Sequence, residues 1–147
     1  MNVRQATIAD LECLAPLFAG YRTFYGQTPD VDLAREFLRQ RLSREQSVIF
    51  LAASAGKSVG FAQLYPSFSS GSAARIYILN DLYVQPKARG RGIGRALLAA
   101  SVEYGRAAGA VSLTLSTAND NALAQALYES AGWQPETVFR TYNLPLA

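Results

Sequence analysis

The chain has no histidine among its 147 residues. That absence removes the Ser-His-Asp triad, the Cys-His pair and every imidazole metal ligand from the chemistries open to it, and no metal site is expected. A single cysteine, Cys13, cannot close an intramolecular disulfide. A domain of this size without paired cysteines is expected in a reducing compartment, here the cytoplasm. No run approaches the ~20 apolar residues of a membrane span. The opening MNVRQATIADLECL has no basic segment leading into an unbroken apolar stretch, so neither a membrane partner nor a secretory signal is expected. Charged residues are few, 17 % against 50 % hydrophobic, which places the chain among globular proteins rather than disordered or fibrous ones. With no linker, repeat or low-complexity tract, residues 1–147 read as a single domain.

Hydrophobic periodicity supplies the element order. Residues 2 to 6 read as a strand, and Thr7 caps a helix from about Ile8 towards Gly20, which Pro16 is expected to bend or shorten. On that helix Cys13, near Leu14 and Phe18, reads as a buried small hydrophobe. Asp30 caps a second helix with Ala34, Phe37, Leu38 and Leu42 on one stripe. The span from Val48 to Leu64 reads as an antiparallel hairpin, and ARIYILNDLYV as a third strand beside it. Pro86 ends that strand. A helix then carries Ile93, Leu97, Ala100, Tyr104 and Ala108 on one stripe. A strand VSLTLST, a helix from about Asp120 to Ala131 closed by Gly132, and a strand-like tail TVFRTYNLPL complete the chain. This order predicts a mixed α/β layer arrangement rather than a doubly wound sheet.

The net charge of +3 is modest, but its distribution is uneven. Between Asp81 and Glu103 lie Lys87, Arg89, Arg91 and Arg95, with no acidic residue among them. In the same stretch Gly90, Gly92 and Gly94 alternate with basic residues and run straight into the helix. Glycine accepts positive φ and lets a backbone approach a ligand closely, so such a turn exposes a row of N–H groups. The helix N-terminus adds roughly half a positive charge, which makes the turn suited to a pyrophosphate. No Lys-Ser or Lys-Thr follows the glycines, which excludes a Walker loop. The dinucleotide spacing Gly-x-Gly-x-x-Gly is not met, and the preceding strand belongs to a meander.

What remains, Arg-Gly-x-Gly-x-Gly after a strand ending in Val-x-Pro, resembles the acyl-coenzyme A loop of the GNAT superfamily of N-acetyltransferases. That pattern, Gln/Arg-x-x-Gly-x-Gly/Ala, is met by Arg89, Gly92 and Gly94. The resemblance extends from VRQATIADL to NALAQALYESAGW, which is similar to the family's Asn-x-x-Ala-x-x-x-Tyr followed by a Gly-aromatic pair, at Asn121, Ala124, Tyr128, Gly132 and Trp133. LNDLYV further resembles the polyamine and thialysine acetyltransferase branch, although Asn80 stands where that branch commonly has Glu.

The resemblance implies an α+β GNAT fold with a mixed, mostly antiparallel sheet of six to seven strands splayed at its centre, and four helices. It implies acetyl-CoA as donor. The backbone of Arg89, Gly90, Arg91, Gly92, Ile93, Gly94 and Arg95 would hold the pyrophosphate, with Leu82 and Val84 on the pantetheine arm and Asn121 and Tyr128 also at the cofactor. Acetyl transfer to an amine needs an uncharged nucleophile, oxyanion stabilisation and a proton for the departing thiolate. Tyr128 is the candidate acid. Asp81 is the candidate base or cation-binding group, and a main-chain N–H, that of Leu82, is the oxyanion donor. Tyr21, Arg22, Phe24 and Tyr25, with Asn80 and Asp81, would line the acceptor side.

The expected activity is direct acetylation of a primary amine on a small molecule. A protein lysine or N-terminus is the alternative acceptor, and a non-catalytic acyl-CoA-binding module is the alternative class. A homodimer is in keeping with the family. Nucleic-acid binding is not expected, because the basic patch is short and lacks the interleaved aromatics of single-strand platforms.

Overall fold

A computed structural model describes all residues 1–147. The chain divides into two compact units, Met1–Ser116 and Thr117–Ala147.

In the first unit a 5-stranded sheet runs β1 (Asn2–Gln5), β2 (Val48–Ser54), β3 (Lys57–Ser69), β4 (Ala74–Val84) and β5 (Ser112–Thr114), in that spatial order. The first three pairings are antiparallel and the last is parallel. Helix α1 (Leu11–Phe24) begins where Thr7 and Asp10 form a capping box, after a short 3-10 turn over Ile8–Asp10. Asp10 is further held by both guanidinium nitrogens of Arg4, at 2.9 and 2.6 Å. Helix α2 (Val31–Ser43) starts at Asp30, whose carboxylate accepts from the Leu33 N–H at 3.0 Å.

Both helices pack on one face of the sheet, where Leu14, Leu17, Phe18, Leu38, Ile49, Leu51 and Phe61 form the core. Each such side chain contributes about 1.5–3 kcal/mol by leaving water. Helix α3 (Ile93–Ala107) buries Ile93, Leu97, Leu98 and Ser101, and its Tyr104 ring meets Phe50 and Tyr77 edge-on at 5.9 and 5.5 Å.

In the second unit α4 (Ala122–Ser130) is capped by Asn121, whose Oδ1 accepts from the Ala124 N–H at 3.2 Å. It stops at Gly132, with φ +95. The Trp133 N–H then donates to the Tyr128 carbonyl at 3.0 Å.

Three expectations are corrected. The sheet has five strands, not six to seven, because TVFRTYNLPL enters no ladder. Its backbone is occupied locally: the Glu136 carboxylate accepts from the N–H groups of both Val138 and Phe139. Such side-chain-to-backbone bonds compete with a ladder, and Pro145 has no N–H to give one. Pro16 does not shorten α1, which continues to Phe24; the acceptor it leaves unused, the Glu12 carbonyl, lies on the exposed side of the helix. Cys13 is exposed rather than buried. At about 100° per residue it falls outside the arc set by Leu14, Leu17 and Phe18.

Candidate active site

Strand β4 carries the site. Along Ala74–Val84 it pairs with β3, but the register changes from Gln63↔Asp81 to Leu64↔Leu79. Asn80 is therefore an extra residue, a bulge that re-aims the side chains around it. On the other side β5 pairs only with Ile76, Tyr77 and Ile78, so Leu79–Val84 has no strand partner there. The two strands part where the resemblance implied, but at the edge of a five-stranded sheet rather than at its centre. Because the Gln85 N–H donates to Val59 of β3, the alternation of a strand points the backbone groups of Leu82 and Val84 toward the unpaired side. The Val84 carbonyl is already met there, by Arg89 Nε at 2.8 Å. Leu82 is thus the better placed of the two for a new backbone contact.

Beyond Pro86–Ala88 comes the glycine turn. Gly90 and Gly92 have φ +78 and +80, a region costly for any other residue, and a Cβ at either would meet nothing within 4 Å. Glycine is required here by backbone conformation, not by crowding. Gly92 is the N-cap of α3 and no side chain caps that helix end. Its first N–H groups accordingly lack the usual internal acceptor. Arg89, Gly90, Arg91 and Gly92 are all exposed, so the turn is open to an anion. Ile93 is 3 % exposed and anchors the helix below it.

The bulge places a carboxylate where water does not reach. Asp81 is 1 % exposed; its Oδ2 accepts from Gln63 Nε2 at 2.5 Å and its Oδ1 from Asn80 Nδ2 at 2.8 Å. Loss of hydration raises its pKa above the ordinary aspartate value, against the pull of hydrogen bonds from Asn80, Gln63 and Tyr21. The Tyr21 hydroxyl donates to the Asn80 carbonyl at 3.2 Å. Burial, then the nearby Asp81 charge, pushes the phenols of Tyr21 and Tyr65 well up.

The aromatic residues of α1 continue from this group. Tyr21 lies 5.0 Å from Tyr25, 5.9 Å from Phe61 and 6.4 Å from Tyr83 between ring centroids. Phe24 and Tyr25 are 5.2 Å apart. The Arg89 guanidinium covers Phe24 at 5.2 Å and Tyr83 at 5.8 Å. Within the first unit, then, Tyr21, Phe24, Tyr25, Asn80, Asp81 and Arg89 are joined by contact. Arg22 is half-buried and its carbonyl accepts from the Gln27 N–H, holding the end of α1. Asn121 and Tyr128 lie in the second unit, where the Tyr128 ring is 6.3 Å from that of Trp133.

Gln63 and Tyr65 were not among the residues the sequence singled out. Gln63 is fully buried and its Oε1 has no hydrogen-bond partner. Its signal was a lone amide inside the apolar run GFAQLY.

A strand parted from its neighbour, a bulge beside a buried carboxylate and a glycine turn opening a helix thus follow one another along a single stretch of chain. The chain belongs to the acetyltransferase (GNAT) family, whose model matches residues 12–133, and it is an N-acetyltransferase; enzymes of this family use acetyl-CoA. It is 49 % identical to the uncharacterized N-acetyltransferase YhfO of Bacillus subtilis (strain 168), over 98 % of this chain and 97 % of that one. It is 34 % identical to an aminoglycoside N(6')-acetyltransferase type 1 of Stenotrophomonas maltophilia, over 99 % of this chain and 94 % of that one. The crystal structure of a probable acetyltransferase, 44 % identical, superposes with a TM-score of 0.95, covering 100 % of this chain and 99 % of that one. The kinship to the thialysine N-epsilon-acetyltransferase of Bos taurus is more distant, 35 % over 54 % of this chain. No helix is long and apolar enough to cross a membrane.

Proposed function

We propose that the chain transfers the acetyl group of acetyl-CoA to a primary amine of a small molecule by direct attack. The observation that carries this reading is the bulge at Asn80, which sets the buried Asp81 carboxylate on the stretch of β4 unpaired on its far side, five residues before the Pro86 that leads into the glycine turn. The relatives named as aminoglycoside acetyltransferases support a small-molecule acceptor.

The residues fit the donor. The backbone from Arg89 to Arg95, with positive φ at Gly90 and Gly92 and an uncapped helix end, would hold its diphosphate. Leu82 and, where Arg89 allows, Val84 would bond the pantetheine amides, and Asn121 is assigned there by its motif. Bound, acetyl-CoA supplies a thioester carbonyl open to attack and a thiol as leaving group.

The acceptor enters beside Tyr21, Arg22, Phe24 and Tyr25. Its ammonium, with a pKa near ~10, must lose a proton before it can attack. Asp81, made more basic by burial, accepts that proton directly or through one water. The Leu82 N–H steadies the oxyanion. As the N–C bond forms and the C–S bond breaks, Tyr128 would give its proton to the sulfur, the nitrogen would shed its second proton to solvent, and Tyr128 and Asp81 would return to their starting states by exchange with solvent. We assign Tyr128 this role from its motif.

The family match spans residues of both compact units, which supports treating 1–147 as one functional domain. We place the protein in the cytoplasm on its cysteine usage, and a homodimer is the oligomer we expect by family analogy. Mass spectrometry after incubation with acetyl-CoA alone tests the direct route. The expected result is unmodified protein; a stoichiometric acetyl adduct that an amine then removes would refute it.

A further inference from the structure

The acceptor side has an unusual charge inventory. In the unit Met1–Ser116, Asp10 is paired with Arg4, Glu12 and Asp32 with Arg35, Glu36 with Arg39 and Glu103 with Arg106. Asp30 serves as the cap of α2. Glu45 stands in the turn that follows α2. Asp81 is thus the one carboxylate set among the aromatic side chains, and no arginine is paired with it.

The other charges near the aromatic wall are positive. Arg89 lies over the faces of Phe24 and Tyr83, and Arg22 is half-buried next to Tyr21 in the chain. Two of the wall's π-faces are therefore already used by a guanidinium. What remains is apolar: Tyr21 and Tyr25 in tilted contact, backed by the buried Phe61, with Phe24 and Tyr25 about half exposed at the lip (55 % and 49 %).

Resting on the reading of a small-molecule acetyltransferase, we infer that the preferred acceptor is an amine with one positive charge on a flat apolar body, an arylalkylamine in chemical class, rather than a polycation. One ammonium is balanced by Asp81. A second or third would approach Arg89, and the unit Met1–Ser116 sets no further carboxylate among those rings to meet it; like charges brought together are how a site rejects a ligand. An aromatic ring, by contrast, extends the tilted and edge-on packing that Tyr21 and Tyr25 have begun.

The test is thiol release by the full-length protein with acetyl-CoA and four acceptors in parallel: 2-phenylethylamine, spermidine, kanamycin and a lysine peptide with a blocked N-terminus. The inference predicts kcat/KM for 2-phenylethylamine at least tenfold above those for spermidine and kanamycin. Tyr25→Ala, at a half-exposed position, should reduce that preference at least fivefold through KM without changing CoA affinity. Arg89→Met should raise the spermidine to phenylethylamine ratio, and because both acceptors share the donor, any loss of CoA binding cancels. Spermidine or kanamycin turned over as fast as the arylalkylamine overturns the inference and leaves the small-molecule reading standing. Acetylation of the peptide with none of the small amines overturns the small-molecule reading itself. Turnover of none of the four by protein that still binds CoA overturns both.

Discussion

The glycine turn and the bulge at Asn80 belong to one strand-to-helix segment, yet they are built from different material. The turn presents backbone: two residues at positive φ, an uncapped helix end and open space around them. The bulge presents side chains: a carboxylate held by two amides and walled by aromatic rings. A backbone cradle recognises a diphosphate whatever is attached to it. A side-chain pocket is specific to what it was packed around. On the proposed assignment of the turn to the donor and the bulge to the acceptor, the donor half is portable, while the acceptor half carries what is particular to this chain.

Substitutions that separate the two halves should behave differently. The largest effect is expected at the bulge. Asp81→Asn should lower kcat/KM by about 10²-fold or more, the range for losing a general base, and leave CoA affinity unchanged in calorimetry. Its stability effect has the opposite sign. A folded-state pKa above the unfolded one means that the folded chain binds the extra proton, so this carboxylate costs stability once pH exceeds its unfolded pKa. Asp81→Asn should thus hold or raise Tm at neutral pH, with Gln63 turning its unpartnered Oε1 toward the new amide. A large fall in Tm with kcat retained would make Asp81 a structural residue.

Tyr128→Phe should reduce turnover by roughly 10- to 100-fold at unchanged CoA affinity, since it removes a proton donor and nothing from the diphosphate cradle. Wild-type turnover with chemistry rate-limiting would remove Tyr128 from the mechanism. On the donor half, Gly92→Ala forces a Cβ into a left-handed residue at about 1–2 kcal/mol, and the diphosphate site shares that cost. The CoA dissociation constant should rise about tenfold with kcat nearly intact. A loss confined to kcat would erase the division between the halves.

The smallest effect on catalysis is expected away from both. Arg4→Met removes the guanidinium that holds Asp10 down to about 2. Because that folded pKa is depressed, the pair's stabilisation is present above the unfolded aspartate value and is lost as pH falls toward 2. With Arg4 half exposed, solvent screens the pair and the cost at neutral pH is small. Acid unfolding should move to higher pH while kcat stays at the wild-type value.

The same division explains what could be read from the sequence. Caps at Thr7 and Asp30, the strand end at Pro86 and the glycine turn depend on residues close together in the chain, and each stands where its local chemistry put it. The bulge depends on how β3 and β4 register, a non-local property, so Asn80 and Asp81 were found through family likeness and Gln63 was not found. The tail TVFRTYNLPL has strand composition, but a strand exists only with a partner, and composition cannot supply one. Cys13 was misplaced by one position on a helical arc.

The central claim is that main-chain amides of the turn from Arg89 to Arg95 grip the diphosphate of the donor while its pantetheine arm follows the unpaired edge of β4. A crystal structure of the protein with CoA tests it directly. The account predicts the diphosphate oxygens within hydrogen-bond distance of the backbone N–H groups at Gly90, Gly92 and the first turn of α3, and a pantetheine amide on Leu82. A diphosphate held elsewhere, or held by arginine side chains with those amides left free, would contradict it.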